Sequence, residues 1–120
     1  MAARAIALSW SSPPFAVQFE LYKGEAALLT FTRVSAVDIT GWTLVFDLKR
    51  YHGDSSSLVT VTPTLTTPTS GIFTVALTAT HTGTTMGTIQ SYPWNVWRTD
   101  SGSEQLLSIG LCSLLEKVTG

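Results

Sequence analysis

The chain has 120 residues, of which 44% are hydrophobic and only 12% are charged, so its length supports one core rather than two. Seven basic and eight acidic side chains give a net charge of -1, without the basic cluster that nucleic acid or an anionic membrane requires. We therefore expect one domain, with no nucleic acid and no membrane among its partners. A single cysteine, Cys112, excludes an internal disulfide.

The N-terminal segment, residues 1–14, carries the apolar side chains Ile6, Leu8 and Trp10 and ends in two prolines, which favour an extended backbone. Its apolar run is too short for the core of a signal peptide, so we expect no export signal. No apolar run of the chain approaches the roughly 18 residues of a membrane-spanning helix. We predict an extended N-terminal arm that packs as an extra strand or on a neighbouring subunit.

A period of two in hydrophobicity runs through most of the remaining chain, as in a series of half-buried strands. Between these segments lie clusters of Gly, Pro, Ser and Asp, which are turn residues. After residue 78 the period is lost, and we predict at most one short helical turn there, capped by Thr78 or Thr80. The predicted strands cover residues 15–22, 27–33, 42–49, 58–62, 71–78, 91–99 and 103–118.

About seven strands at intervals of roughly 8–15 residues, with almost no helix, predict an all-β antiparallel sandwich over residues 15–120. The Thr-rich residues 62–70 are predicted to form an edge strand or loop, because Pro63 and Pro68 cannot donate to a ladder. Residues 111–118 also have helical propensity, but the neighbouring segments favour a strand.

The sequence Asp38-Ile39-Thr40-Gly41 looks at first like the Asp-Thr-Gly of an aspartic protease. That chemistry needs two such loops sharing one proton, whereas this motif occurs once and contains an extra residue. We interpret Asp38, Thr40 and Gly41 as a structural turn, in which Asp and Thr side chains bond nearby amides and Gly tolerates an unusual backbone conformation. This turn is expected to aim Trp42 into the core.

Four tryptophans are many for a chain of this size. On a strand, Tyr92, Trp94 and Val96 share one face while Trp97 points to the other. Trp97 is therefore a candidate surface residue, because exposed aromatic side chains mark subunit contacts and carbohydrate-binding platforms. The candidate contacts for a partner or an oligomer are Ile6, Leu8, Trp10, Phe15 and Trp97.

No catalytic constellation is found in the sequence, and no cofactor or metal site is expected. His52 and His81 are isolated, with no second His or Cys at ligand spacing. Asp47 and Asp54 are too far apart for a local calcium loop. Cys112 lies in an apolar run and is expected to be a small buried hydrophobic residue.

Four stretches in order carry a resemblance to a known family: a strand ending in a Gly-containing turn within residues 19–33, Val-Asp-Ile-Thr-Gly at 37–41, Gly-Ile-Phe-Thr-Val-Ala-Leu-Thr at 71–78, and Tyr-Pro-Trp-Asn-Val at 92–96 with a turn at Gly102. Together they resemble small immunoglobulin-like domains of tailed-bacteriophage virions, such as the first domain of upper-baseplate proteins and short stand-alone virion proteins. The resemblance covers residues 17–119, although Pro93 and the N-terminal arm depart from the family pattern.

The resemblance implies an immunoglobulin-like sandwich and a non-enzymatic structural protein, assembled in the bacterial cytoplasm and located in the virion. Upper-baseplate chains carry further domains, so the length favours a capsid cement or decoration subunit over a baseplate or tail adaptor. The expected partners are further copies of the chain and other virion proteins, either the major capsid protein or tail and baseplate proteins. A carbohydrate-binding module that uses Trp97 is the alternative.

Overall fold

The computed structural model describes residues 4–11, 14–51, 53–85 and 91–115. These residues form nine strands and two short helical turns, at Pro68–Ser70 and His81–Thr85. The strands are β1 Arg4–Trp10, β2 Ala16–Tyr22, β3 Ala27–Arg33, β4 Leu44–Leu48, β5 Val59–Val61, β6 Thr64–Thr67, β7 Ile72–Leu77, β8 Ser91–Arg98 and β9 Gln105–Leu115.

The strands form two sheets, one with the order β1-β3-β7-β6 and one with the order β2-β9-β8-β4-β5. In the first sheet, β3, β7 and β6 have the positions of strands B, E and D of an immunoglobulin sandwich. In the second, β9, β8, β4 and β5 have the positions of G, F, C and C′. The predicted all-β sandwich is confirmed, and its strand order is immunoglobulin-like.

The structure refines the prediction in two respects. It has more strands than the seven expected, and two pairs, β1 with β3 and β2 with β9, are parallel rather than antiparallel. Each parallel pair includes one of the two N-terminal strands, β1 or β2. Local periodicity does not specify which strand pairs with which. The C-terminal segment is a strand through Leu115, so the helical alternative for residues 111–115 is wrong.

The predicted helical turn is present at His81–Thr85. Its cap is reciprocal: the backbone N–H of His81 donates to the Thr78 hydroxyl at 3.2 Å, and the backbone N–H of Thr78 donates to His81 Nδ1 at 3.1 Å. Thr78 is therefore the capping residue of the two that the sequence offered. The Thr-rich stretch forms the edge strand β6, as the prolines on either side of it suggested.

The N-terminal segment is part of the sandwich, because β1 pairs along its whole length with β3. Of the two arrangements that the sequence allowed, the structure has the extra strand within the same chain. The indole of Trp10 is 1% exposed, and its Nε1–H donates to the carbonyl oxygen of Gly71 at 2.9 Å. This hydrogen bond fastens the end of β1 to the turn before β7. Strand β1 is thus the first strand in the order of the four-stranded sheet.

The core is a cluster of aromatic rings centred on Trp94 of β8. The ring centroid of Trp94 lies 5.3 Å from that of Phe19, 5.7 Å from that of Phe31 and 5.9 Å from that of Phe46. Phe31 in turn stacks on Phe73 at 4.9 Å. Because Phe31 and Phe73 come from the first sheet and the other rings from the second, these contacts join the two layers.

Strand β9 is shaped by a bulge and by one glycine. The register with β8 shifts after Val96, so that Leu107 and Ser108 are both buried. Further along, a Cβ atom at Gly110 would stand 1.6 Å from the backbone carbonyl oxygen of Val17. Glycine at this position is what allows β9 and β2 to pair so closely.

We predict that Gly110→Ala lowers the free energy of unfolding by about 3 kcal/mol or more, because the new methyl group meets backbone rather than a mobile side chain. Urea unfolding followed by circular dichroism measures this change. Gly83→Ala is the matched control, since the nearest atom to its new Cβ would be 3.5 Å away, an ordinary contact. Equal stability of the two variants would contradict the close approach of β2 and β9.

The two most buried indoles give a second prediction. Trp10 Nε1 donates a hydrogen bond, whereas Trp94 Nε1 is buried without a partner among the described residues. Trp10→Phe should therefore cost about 1–2 kcal/mol more stability than Trp94→Phe, because only the first change removes a hydrogen bond. Parallel urea titrations compare the two variants. A larger loss for Trp94→Phe would argue against the Trp10–Gly71 bond as a stabilising contact.

Candidate interaction surfaces

The turn before β4 is built by the side chain of Asp38. Its Oδ1 accepts hydrogen bonds from the backbone N–H of Thr40 at 2.9 Å and from the Thr40 hydroxyl. The backbone N–H of Trp42 donates to the carbonyl of Ile39 at 3.0 Å, and Gly41 has a φ of 83°. This geometry is that of a tight turn with glycine at its left-handed position. The Asp38 carboxylate is held by its own turn.

The direction in which this turn sends its side chains differs from the expectation. Ile39, not Trp42, enters the core and is fully buried. Trp42 lies half-buried on the surface, where the guanidinium of Arg98 covers its ring at 4.0 Å. Trp42 nevertheless packs against the core as a partly buried side chain, so the expectation that this turn aims Trp42 into the core holds only in part.

Asp100 joins this cluster from the turn between β8 and β9. Its Oδ2 accepts from the Nε–H of Arg98 at 2.8 Å and from the backbone N–H of Thr43 at 2.9 Å. The hydrogen bond from Arg98 is the main reason that the pKa of Asp100 lies below its ordinary value, and the bond from Thr43 lowers this pKa further. The carboxylate therefore ties the β8–β9 turn to the start of β4.

These contacts predict the pH dependence of stability. Because the pKa of Asp100 is lower in the folded than in the unfolded chain, its contribution is complete above the ordinary value of 3.8 and is lost as pH falls below it. Asp38 acts in the same direction, because the hydroxyl and backbone N–H of Thr40 lower its pKa. We expect wild type to be more stable than Asp100→Asn near neutral pH and the two to converge below pH 3.8. Urea unfolding at stepped pH tests this, and a constant difference would contradict it.

The structure separates the candidate contacts into buried and exposed residues. Trp10 is buried in the chain's own core, so it is not part of the accessible surface. Ile6 and Leu8 are partly buried against that core from β1. Phe15 and Trp97 are exposed, by 44% and 39%. Trp97 lies on the outer face of the five-stranded sheet, whereas Phe15 precedes β2 at the edge of that sheet.

Trp97 belongs to a larger apolar surface on the outer side of the five-stranded sheet, which we call the outer apolar face. Trp97 lies opposite Val45 on β4 and opposite Leu106 on β9. Alternation along β8 and β9 brings further apolar side chains to this side. The outer apolar face consists of Val45, Pro93, Trp97, Leu106, Ile109 and Leu111.

Apart from Trp97, the residues of the outer apolar face were not recognised in the sequence as surface candidates. A signal was present, because residues 105–115 are apolar on both faces of the strand. A strand of this kind belongs to a sheet that is covered on both sides. Within the described part of the chain nothing packs over the outer side of β9, and Leu111 is 36% exposed there.

A small polar hollow interrupts the outer apolar face, because Pro93 and Ile109 of that face help to line it. It has a volume of about 150 Å³, and Asp47, Lys49 and Asn95 line it. Asp47 Oδ1 accepts hydrogen bonds from the hydroxyls of Ser57 at 3.0 Å and Thr60 at 2.8 Å, so this carboxylate fastens β4 to β5 and to the segment before it. Its role is structural.

A second concave feature lies between the edge strands β1 and β2, and we call it the edge cleft. It has a volume of about 510 Å³ and is lined by consecutive residues of both strands, Arg4 to Leu8 on β1 and Gln18 to Glu20 on β2, together with Ser113. Side chains alternate along a strand, so a cleft lined by consecutive residues is lined largely by backbone. The guanidinium of Arg4 lies 4.5 Å from the ring centre of Tyr22 at one end.

The remaining single residues of the sequence analysis do not form a reactive site in the described ranges. Burial raises the pKa of the Cys112 thiol to about 12, which leaves it protonated at neutral pH. Both ring and backbone of His81 take part in the turn described above, and His52 lies outside the described residues. No group of three or more His, Cys, Asp or Glu side chains able to hold a metal occurs in the portion of the chain that the structure covers.

No helix among the described residues is both long and apolar enough to cross a membrane. No protein-family model matches the chain, and no curated protein matches it. Function is therefore inferred from the chemistry of the chain's own surfaces.

Proposed function

We propose that this protein is a non-enzymatic structural protein of a tailed-phage virion, most specifically a capsid decoration subunit that binds the particle lattice. The observation that carries the proposal is the outer apolar face, an accessible apolar surface on a rigid sheet. Apolar side chains left uncovered on a small domain mark a place where another protein binds.

The composition of the outer apolar face favours a protein partner. Its six members are a tryptophan, a proline and aliphatic side chains, with no charged residue among them. Asn95 lies between Pro93 and Trp97 on the same side of β8, and Asp47 lies opposite Asn95 on β4. Aromatic enrichment and depletion of charge at the centre, with a polar rim, distinguish the middle of protein interfaces from ordinary surface. Trp97 is the expected anchor, because tryptophan dominates the energy of many such contacts.

The same neighbours argue against a carbohydrate platform. Sugar rings stack on aromatic faces, whereas the residues opposite Trp97 on the two adjacent strands are the aliphatic Val45 and Leu106. Aliphatic neighbours add apolar area but offer no second stacking surface. The surface thus supports a protein contact over a glycan contact.

The location of the motifs that resemble phage virion domains is compatible with this proposal. The motif at 37–41 forms the turn before β4, the motif at 71–78 contains β7, and the motif at 92–96 lies within β8. The motifs at 37–41 and 92–96 thus lie before or within strands of the sheet that presents the outer apolar face, and the motif at 71–78 lies in the opposite sheet. A single face of this kind binds weakly, and repetition over a symmetric lattice makes the whole attachment stable.

The first test asks whether the chain is a virion component. Particles are purified by density gradient from cells that encode the chain, and the molar ratio of the chain to the major capsid protein is measured by quantitative mass spectrometry. A fixed molar ratio that corresponds to one copy of the chain at each repeated site of the capsid lattice supports a decoration subunit. A few copies per particle together with baseplate proteins would assign it to the tail, and absence from particles would contradict the proposal.

The second test asks which surface binds. Trp97→Ser should reduce attachment of purified protein to particles that lack it by about tenfold or more, since an interface anchor is lost. The fold should be retained because Trp97 is 39% exposed. Tyr51→Ser is the matched control, because Tyr51 is an exposed aromatic residue, 60% accessible, outside the outer apolar face.

If the Trp97→Ser and Leu111→Ser variants both attach to particles as tightly as wild type, the outer apolar face is not the binding surface. Binding of the wild-type protein to polysaccharide, lost in Trp97→Ser, would instead favour the carbohydrate-binding alternative.

A further inference from the structure

The open edge of β1 differs from the other sheet edges of this protein. An unprotected edge strand can pair with another strand, so proteins shield such edges with proline, bulges, charge or short length. Strand β6 lies between Pro63 and Pro68 and has a register shift between Leu65 and Thr67. Strand β5 is only three residues long.

Strand β2 carries polar side chains at its edge, with Gln18 and Glu20 exposed on its outer side. Strand β1 has the same length as β2, seven residues, and no proline or bulge interrupts it; its one charged residue, Arg4, is its first residue, whereas Glu20 lies within β2. Among the edge strands of the described residues, β1 therefore has no proline, bulge or internal charged side chain to shield it.

The hydrogen bonds of β1 define which of its backbone groups face outward. The N–H of Arg4 donates to the carbonyl of Ala26 at 3.0 Å, and the carbonyl of Trp10 accepts from the N–H of Val34 at 2.9 Å. Residues 4, 6, 8 and 10 therefore bond toward β3. Because the direction alternates along a strand, the N–H and C=O groups of Ala5, Ala7 and Ser9 point away from β3, along the edge cleft.

We propose that the β1 edge pairs with β1 of a second copy of this chain, antiparallel and about a two-fold axis at Ala7. The outward groups lie evenly around this residue, so Ala7 would face Ala7 of the copy and Ala5 would face Ser9. Each of these is a pair that exchanges two hydrogen bonds, which gives about six bonds between the copies. One contact of this kind satisfies the open edges of both molecules at once.

The side chains permit this pairing. Ala5, Ala7 and Ser9 are small and uncharged, so no bulky or charged group opposes its own copy. The two Arg4 side chains would lie at opposite ends of the paired strands, roughly 20 Å apart at about 3.3 Å per residue. That separation exceeds the screening length of about 8 Å at physiological salt.

The pairing would also cover the edge cleft, where Phe19 lies on the floor and is 6% exposed. The surface used is separate from the outer apolar face, which belongs to the other sheet. Pairing of β1 therefore does not depend on the proposed virion function, and the two can fail independently.

The experiment compares variants by sedimentation velocity over a range of concentrations. Wild type should approach twice the chain mass of 12.9 kDa. Ala7→Pro removes an outward N–H without disturbing the pairing with β3, and it should weaken association at least about tenfold. Ala7→Lys keeps that N–H but brings two positive charges together at the axis, so it should also give a monomer.

The matched control is Ala76→Lys, which adds the same charge to an exposed position of β7, two strands from the edge. This variant should associate like wild type. Circular dichroism confirms that each variant is folded, and if Ala7→Pro does not fold then Ala7→Lys decides the outcome.

Amide exchange by NMR supplies a residue-specific readout. In the dimer the amides of Ala5, Ala7 and Ser9 should exchange about tenfold or more slowly than in a monomeric Ala7→Lys sample, apart from the substituted site. A wild-type protein that is monomeric at all concentrations would overturn the proposal. A dimer that persists in both Ala7 variants would overturn it as well, because its interface would then lie elsewhere.

Discussion

The contact between the Trp94 indole and phenyl rings from both sheets is the interaction on which the sandwich depends. Phe31 reaches it from one layer, and Phe19 and Phe46 reach it from its own layer. A small all-β domain has few local contacts, so its stability depends on such contacts between residues remote in sequence. These rings fill the space between the two sheets. The residues of the outer apolar face lie on the other side of the five-stranded sheet and are not part of this core.

That division gives the molecule two kinds of adhesive surface with different physics. The outer apolar face presents side chains, and in the function proposed above it would select a partner by shape and by the burial of Trp97. The open edge of β1 presents backbone groups, which are directional but carry little side-chain identity. A chain with both could join a copy of itself and a different protein at the same time, because the two surfaces lie on different sheets.

Much of the fold was predictable because alternation with period two is a local signal. It identified β2, β3, β4, β7, β8 and β9, and the turn chemistry of Asp38 and Gly41 could be inferred from residue type alone. The parallel pairing of β2 with β9 was not predictable, because periodicity specifies faces but not partners. The sequence also did not single out Ile39, the fully buried residue of the Asp38 turn, whose backbone N–H donates to the carbonyl oxygen of Pro68 far along the chain. The edge cleft is a property of two strands together and has no signature in either.

The position of the chain's single thiol has a practical consequence. Cys112 lies opposite Phe19 in the pairing of β9 with β2 and is fully buried, so a thiol reagent reaches it only when the core around β9 opens. The rate at which the Cys112 thiol of the wild-type protein reacts therefore measures how often the core around β9 opens. The wild-type protein thus has a built-in probe of local opening, which needs no added label.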